Sequence, residues 1–165
     1  FIGAMNIFKE VDSLLSLLNL NHYENIKFKF YSKNITDSIS NKHFNQNDIE
    51  IIDDYLTPED YNNYMKNSDF IFLSYKYEYE IRVPAMVFDS LSNGCQLICN
   101  DNPSFKYYVE KYNCGYVFRD EDELHKILTN LQKLNINEEI YDDYSQQTRE
   151  KLFLNIVENF SGVEE

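Results

Sequence analysis

The sequence predicts an α/β domain with an open, doubly wound parallel sheet, and three observations support this fold class. Helical and extended patterns alternate along nearly the whole chain. The run "DFIFLSY" is continuously apolar, as strands are when helices cover both faces of a parallel sheet. Glycine and proline stand at several joints between these segments, where helices begin and end.

The first half of the chain contains alternating helix and strand patterns. The opening residues, "FIGAMN", are interpreted as the end of a strand in a piece of a longer protein. Leucines at helical spacing in "KEVDSLLSLLNL" predict a helix, the alternation in "NIKFKFYS" predicts a strand, and "IEII" predicts a short strand. A helix is predicted over "TPEDYNNYMKNS", because Thr57 suits the N-cap, Pro58 the first helical position and Asp60 a capping box.

The second half continues the alternation. After the strand "DFIFLSY", Pro84 opens the helix "PAMVFDSLSN", which ends at Gly94, a residue suited to a left-handed C-cap. "CQLIC" and "GYVF" predict strands, with the helix "NPSFKYYVEKYN" between them. "DEDELHKILTNLQKL" predicts an amphipathic helix, and "EEIYDDYSQQTREKLFLNIVENF" a longer one at the C-terminal end.

Length and charge limit the classes of partner. The 165 residues suit one domain, residues 1–165, and the hydrophobic fraction of 43% supplies its core. The formal charge of -13 repels a phosphate backbone, so nucleic acid is not expected as a partner. A small phosphorylated ligand is compatible with this charge, because a lysine and a few backbone N–H groups can hold a diphosphate locally.

Cysteine usage and hydropathy bear on the cell compartment. Cys95, Cys99 and Cys114 lack the spacing of metal ligands to histidine, and the apolar runs around two of them indicate reduced core residues. The chain shows no signal-peptide pattern and no apolar run of about 18 residues. We therefore expect a cytoplasmic domain, with peripheral membrane association only through a part of the protein outside this chain.

Two loops carry a chemically suggestive pattern. Ligands of open parallel sheets bind beyond the carboxyl ends of the strands. In the first loop, "GAMNIFK", Gly3 allows a ligand close to the backbone and Lys9 can meet a phosphate oxygen; a tight turn followed by an exposed lysine explains the same residues. The other loop, "KYEYEIRVP", follows the fourth predicted strand and contains Glu78, Glu80 and Arg82 just before a helix N-terminus, which favours an anion. The alternative interpretation of these residues is a charged loop that faces solvent.

Asp89 is an acid within an otherwise apolar helical segment, between Phe88 and Leu91. Aspartate has a low helix propensity and is costly to bury without a partner. In one interpretation Asp89 faces solvent while Met86 or Val87 faces the core. In the other it projects towards the site and binds a pair of vicinal hydroxyls, as acids bind a ribose.

Several motifs, in order along the chain, make the sequence similar to a known family. "GAMNIFKEVD" has a strand-ending Gly3 and then Lys9, "DFIFLSYKYE" is a strand followed by an acidic loop, and "VPAMVFDSLSNGCQLI" and "GYVFRDEDELHKIL" follow. Together they resemble the C-terminal nucleotide-sugar-binding domain of family-4-like retaining glycosyltransferases. That domain is Rossmann-like and forms one half of the two-domain GT-B architecture.

The resemblance implies roles for residues at matching positions. Lys9 would hold the donor diphosphate, Gly3 would give it access to the backbone, and Asp89 would bind the ribose hydroxyls. The family's first glutamate aligns with Ile81, so its contact with the donor sugar would fall to the neighbouring Glu80 or to Glu78. Catalytic roles are thereby assigned to Glu80 and Lys9. The residues assigned to donor binding are Gly3, Lys9, Glu78, Arg82, Val83, Pro84, Ala85 and Asp89.

The resemblance also implies partners. An N-terminal domain of the same full-length chain would bind the acceptor across a cleft, and no metal or other cofactor would be needed besides the nucleotide-diphosphate sugar. The isolated domain would then have little activity. Two alternatives stay open, namely a non-catalytic glycosyltransferase-like binding domain and a receiver-like domain that accepts phosphate on an aspartate with Mg²⁺.

Overall fold

Helices and strands alternate along the described part of the chain. The computed structural model describes residues 11–31, 44, 47–76 and 85–144. In chain order the elements are α1 (Asp12–Leu20), β1 (Lys27–Tyr31), β2 (Asp48–Ile52), α2 (Pro58–Lys66), β3 (Phe70–Leu73), α3 (Ala85–Ser92), β4 (Gln96–Asn100), α4 (Pro103–Tyr112), β5 (Gly115–Phe118), α5 (Glu121–Thr129) and α6 (Glu139–Tyr144). The alternation predicted from the sequence is confirmed for these residues.

Local signals fix the ends of α2 and α3. Pro58 is the first residue of α2, and the Thr57 hydroxyl accepts a hydrogen bond from the Asp60 N–H at 3.1 Å, so the predicted cap is confirmed. At the end of α3, Gly94 has a positive φ of 75° and its N–H donates to the Leu91 carbonyl at 3.1 Å. Glycine adopts this left-handed conformation without a steric penalty, which is why the helix stops here.

The strands pair in parallel. β1 pairs with β2 from Lys27 opposite Asp48 to Tyr31 opposite Ile52, and β3, β4 and β5 form a second sheet in that order. The prediction of parallel strands is thus confirmed, although the described strands form two sheets rather than one. The strand predicted at the start of the chain lies outside the described residues.

Two apolar clusters lie on opposite sides of the strands. Successive strand residues alternate between them, since Ile71 and Leu73 belong to one cluster and Phe72 to the other. The first cluster includes residues of α2, α3, α4 and α6, and the second includes residues of α1 and α5. Helices therefore cover both sides of the strands, as the apolar run "DFIFLSY" predicts.

The three cysteines belong to this core. Cys95, Cys99 and Cys114 are buried and free, which confirms their interpretation as core thiols. Burial raises the pKa of Cys95 and of Cys114 to about 11 and also raises the pKa of Cys99. These thiols are therefore protonated at neutral pH and poorly nucleophilic.

The C-terminal region is described in part. The long helix predicted near the end of the chain is represented by α6, which buries Ile140 against the first cluster, and its continuation lies outside the described residues. Within the described ranges, no helix has both the length and the apolar character needed to cross a bilayer.

Candidate functional site

The carboxyl ends of the strands meet at one edge, where the loops to the following helices begin. Tyr75 and Lys76 follow β3, Asp101 and Asn102 follow β4, and Arg119 follows β5. Because β3, β4 and β5 are parallel and a helix follows each of them, the N-termini of α3, α4 and α5 lie at this edge. The hydrogen bond from Tyr61 to Asp89 brings the first half of α2 beside α3. This is the edge at which ligands of open parallel sheets bind.

Asp89 lies one turn into α3 and is half-buried. The Tyr61 hydroxyl, from the first half of α2, donates a hydrogen bond to its Oδ2 at 2.8 Å. Within the described residues, no hydrogen-bond donor contacts the second oxygen, Oδ1. The carboxylate is thus held at one oxygen, while the other can accept a hydrogen bond from a ligand.

The periodicity of α3 places this carboxylate. Val87 and Leu91 are buried in the core, and Phe88 packs edge-on against Tyr108 of α4 with ring centroids 5.6 Å apart. Asp89 therefore projects from the flank of the helix that faces α2, between the core and the surface. Val87 faces the core as one interpretation of the sequence expected, but the Asp89 carboxylate contacts Tyr61 instead of standing free in solvent.

Tyr61 is a fixed neutral donor to this carboxylate. Burial, then the hydrogen bond to Asp89 and its negative charge, raise the pKa of Tyr61 far above its ordinary value of 10.0. Its hydroxyl therefore keeps its proton across the physiological pH range. The Asp89–Tyr61 pair links α2 to α3 near their N-termini.

Two asparagines hold the start of the loop that leads to α3. The Asn100 amide forms two hydrogen bonds with the Tyr75 backbone, accepting from its N–H at 3.2 Å and donating to its carbonyl at 2.7 Å. Asn102 donates to the Lys76 carbonyl at 3.4 Å and accepts from the Ser104 N–H at 3.0 Å, capping α4. The end of β4 thus fixes the direction in which the chain leaves β3.

A charged cavity of about 500 Å³ lies beside the ends of β4 and β5. Two of its three cations are paired with acids, since Lys106 contacts Asp101 at 2.7 Å and Arg119 forms an ion pair with Glu123. These contacts neutralise the charges of Lys106 and Arg119, which an anionic ligand would need. Asp89 does not line this cavity.

The structure describes two of the residues predicted for the site. Ala85 is the exposed first residue of α3, and Asp89 lies one turn further along the same helix. The remaining predicted residues lie outside the described residues, and their roles stay predictions: Gly3, Lys9, Glu78, Glu80, Arg82, Val83 and Pro84.

Three residues around Asp89 and its loop were not predicted from the sequence. Tyr61 lies in an ordinary helical pattern, and no local signal shows that its hydroxyl reaches a helix 28 positions away. Asn100 ends β4 and Asn102 precedes Pro103, a pattern that suggests a turn or a helix cap but not the bonds of these two amides to the β3 loop. Across the part of the chain described here, no group of three or more His, Cys, Asp or Glu side chains is placed to hold a metal ion.

No protein-family model matches the chain, and no curated protein is significantly similar to it.

Proposed function

We propose that the chain is the donor-binding domain of a glycosyltransferase and binds a nucleotide-diphosphate sugar at the carboxyl edge of its strands. The placement of Asp89 is the observation that carries this proposal. A half-buried carboxylate, held by Tyr61 at one oxygen and open at the other, stands near the N-terminus of the helix that follows β3. The motif order of the sequence, which resembles the GT-B family, supplies the rest.

Each part of the ligand has a chemical counterpart in this proposal. Asp89 accepts hydrogen bonds from the ribose hydroxyls, a role in which carboxylates recur in nucleotide sites. Backbone N–H groups near Val83 to Met86 meet the diphosphate, except at Pro84, which has no N–H. Gly3 lets the backbone approach the phosphates, and Lys9 supplies a positive charge there.

The mechanism follows from what such a site can stabilise. Transfer of the sugar leaves a nucleoside diphosphate, whose charge the helix N-terminus and Lys9 stabilise electrostatically without a metal. Glu80 contacts the donor sugar, with Glu78 and Arg82 beside it. The acceptor is positioned by an N-terminal GT-B domain of the same full-length protein, so this domain alone has little activity. Reduced buried cysteines agree with a cytoplasmic location.

Isothermal titration calorimetry of the chain with UDP-, GDP- and ADP-sugars tests the proposal by measuring the affinity for each ligand. One of these ligands should bind, and Asp89→Asn and Lys9→Ala should each weaken binding by roughly 10-fold or more, because a hydrogen bond or contact to a charged group contributes about 1.5–3 kcal/mol. Asp122→Asn is the matched control, since Asp122 is an exposed acid in the first turn of α5. It should bind as the wild type does.

Other outcomes favour the alternatives. No heat with any nucleotide sugar would support a non-catalytic glycosyltransferase-like domain, which the isoleucine at position 81 favours because the family has a sugar-binding glutamate there. Uptake of phosphate from acetyl phosphate with Mg²⁺ would support a receiver-like domain instead.

A further inference from the structure

The turn that ends α3 contains the dipeptide Asn93–Gly94, the one place in the sequence where an asparagine precedes a glycine. The Asn93 side chain is half-buried, and Gly94 is exposed. A Cβ added at position 94 would meet no atom within 4 Å, so the space around the Gly94 backbone is open. These two residues therefore meet the steric requirement for attack of a backbone nitrogen on the preceding side-chain amide.

The reaction open to this pair is deamidation through a cyclic imide. The Gly94 N–H loses its proton to solvent, and its nitrogen attacks Cγ of Asn93. A new N–Cγ bond forms, and the Cγ–Nδ2 bond breaks as the leaving nitrogen takes up a proton and departs as ammonia. Water then opens the imide at one of its two carbonyls and leaves either aspartate or isoaspartate at position 93. A following glycine favours ring closure, because it has no Cβ to hinder the approach.

In the folded chain, hydrogen bonds hold both reacting groups. The Asn93 Nδ2 donates to the Asp89 carbonyl at 2.8 Å, which ties the side-chain amide to the preceding turn of the helix. The Gly94 N–H donates to the Leu91 carbonyl at 3.1 Å, and Gly94 has a φ of 75°. Attack requires the amide to turn towards the Gly94 nitrogen and that nitrogen to lose its proton. Both bonds must therefore break before the imide forms.

Either product makes the end of α3 less stable. In aspartate, a carboxylate oxygen replaces the donor of the bond to the Asp89 carbonyl, so that two acceptors face each other. The new negative charge also lies at the C-terminus of the helix, which is the negative end of its dipole. Isoaspartate adds one carbon to the backbone before Gly94 and so displaces the Gly94 N–H from the Leu91 carbonyl. Modification of Asn93 thus loosens the helix that carries Asp89.

We propose that Asn93 is a deamidation site that is protected in the folded chain and reacts when the C-terminal end of α3 opens. Aspartate or isoaspartate at position 93 then marks the chains in which this helix has opened. Because two hydrogen bonds must break first, Asn93 should deamidate roughly 10- to 100-fold more slowly in the native chain than in the unfolded chain. The reaction needs only the chain and water, so it is independent of any nucleotide-sugar ligand.

Peptide mass spectrometry and hydrogen exchange on the wild-type chain test the proposal. The rate of deamidation at Asn93 is measured in mildly alkaline buffer with and without denaturing urea. The ratio of the unfolded rate to the native rate should equal the exchange protection factor of the Gly94 amide within about threefold, because the same opening frees both groups. Equal rates in the two states would overturn the proposal. So would native deamidation far slower than this protection factor predicts, because a different barrier would then control it.

Asn93→Asp reproduces the aspartate product, and Asn130→Asp is its matched control. The Asn130 Nδ2 donates to the Lys126 carbonyl at 3.0 Å, which is the same bond at the end of α5, on the other side of the strands. Asn93→Asp should speed exchange of the α3 amides roughly 10-fold and leave those of α5 unchanged, and Asn130→Asp should do the reverse. Unchanged exchange of α3 in Asn93→Asp would contradict the effect assigned to the modification. The two wild-type rates decide the proposal if Asn93→Asp fails to fold.

Discussion

The exchange of Asn100 for aspartate tests how the end of β4 fixes the loop that leads to the candidate site. In the wild type the Asn100 amide accepts from the Tyr75 N–H at 3.2 Å and donates to the Tyr75 carbonyl at 2.7 Å. In Asn100→Asp the carboxylate can still accept from the N–H. Its other oxygen, however, faces the Tyr75 carbonyl oxygen with no proton between them, so a hydrogen bond is replaced by a repulsion.

The magnitude follows from these two bonds. Loss of a hydrogen bond costs about 1 kcal/mol, and an acceptor left without this donor in a largely buried place costs about 1–3 kcal/mol more. The free energy of unfolding should therefore fall by about 2–4 kcal/mol. With a urea m-value of about 2 kcal/mol per molar, the unfolding midpoint falls by about 1–2 M.

Gln96→Glu is the matched control at the opposite end of β4. The Gln96 amide makes the same pair of bonds with the Leu134 backbone, donating at 2.6 Å and accepting at 2.9 Å, but at the amino end of the strand. Both variants gain one negative charge and should lose similar stability. Only Asn100→Asp should also weaken nucleotide-sugar binding, by roughly 10-fold, because it displaces the loop next to α3.

Urea unfolding and titration calorimetry on the same samples separate these effects. A loss of less than about 0.5 kcal/mol in Asn100→Asp, the size of an ordinary surface substitution, would contradict the role of the Asn100 amide in holding the loop. Weakening of ligand binding in Gln96→Glu as large as in Asn100→Asp would contradict it too, since the effect on affinity would then be a general effect of destabilisation.

Three further predictions concern packing and titration. Gly115→Ala should lower the free energy of unfolding by about 3 kcal/mol or more, because the added Cβ would overlap the Leu97 carbonyl. Gly94→Ala is the control and should cost about 1 kcal/mol, since its Cβ enters open space and only the φ of +75° is unfavourable. Equal losses of unfolding free energy in the two variants, measured by urea unfolding, would contradict this prediction. The Tyr31 hydroxyl, and then Lys27, lower the pKa of Glu50 below 4.5, so its stabilisation is present above that pH and is lost as the pH falls through the lowered value. Wild type should therefore lose more stability than Glu50→Gln between about pH 5 and about pH 3, and parallel pH profiles would show that no such shift exists. The buried thiols should react slowly with a disulfide reagent near pH 8 in the native chain, and all three should react after unfolding; fast native labelling would contradict their burial.

The helices and strands could be predicted from the sequence because their signals are local. Thr57, Pro58 and Asp60 act within one turn, and Gly94 stops α3 through its own backbone conformation. The continuous apolar run of β3 likewise predicts helices on both sides. These elements depend on neighbours in the chain, so one sequence is sufficient to place them.

The contacts around the candidate site could not be predicted in this way. The Tyr61 bond to Asp89 joins residues 28 positions apart, and the bonds of Asn100 to Tyr75 span 25 positions. Such pairs depend on how the helices and strands pack, and the same residue types would form ordinary surface positions in another arrangement. The motif order singled out Asp89, while its partner became visible only in the folded chain.

The most direct test of the central claim compares a nucleotide-diphosphate sugar with its 2′-deoxyribose analogue. If Asp89 binds the ribose hydroxyls, loss of the 2′-hydroxyl should weaken binding to the wild type by roughly 10- to 100-fold, the effect of a hydrogen bond to a charged group. The Asp89→Ala variant should bind both ligands equally, and more weakly than the wild type binds the analogue, because it also loses the bond to the 3′-hydroxyl. Equal affinities of the wild type for both ligands, or an unchanged preference in Asp89→Ala, would contradict the assignment of Asp89 to the ribose.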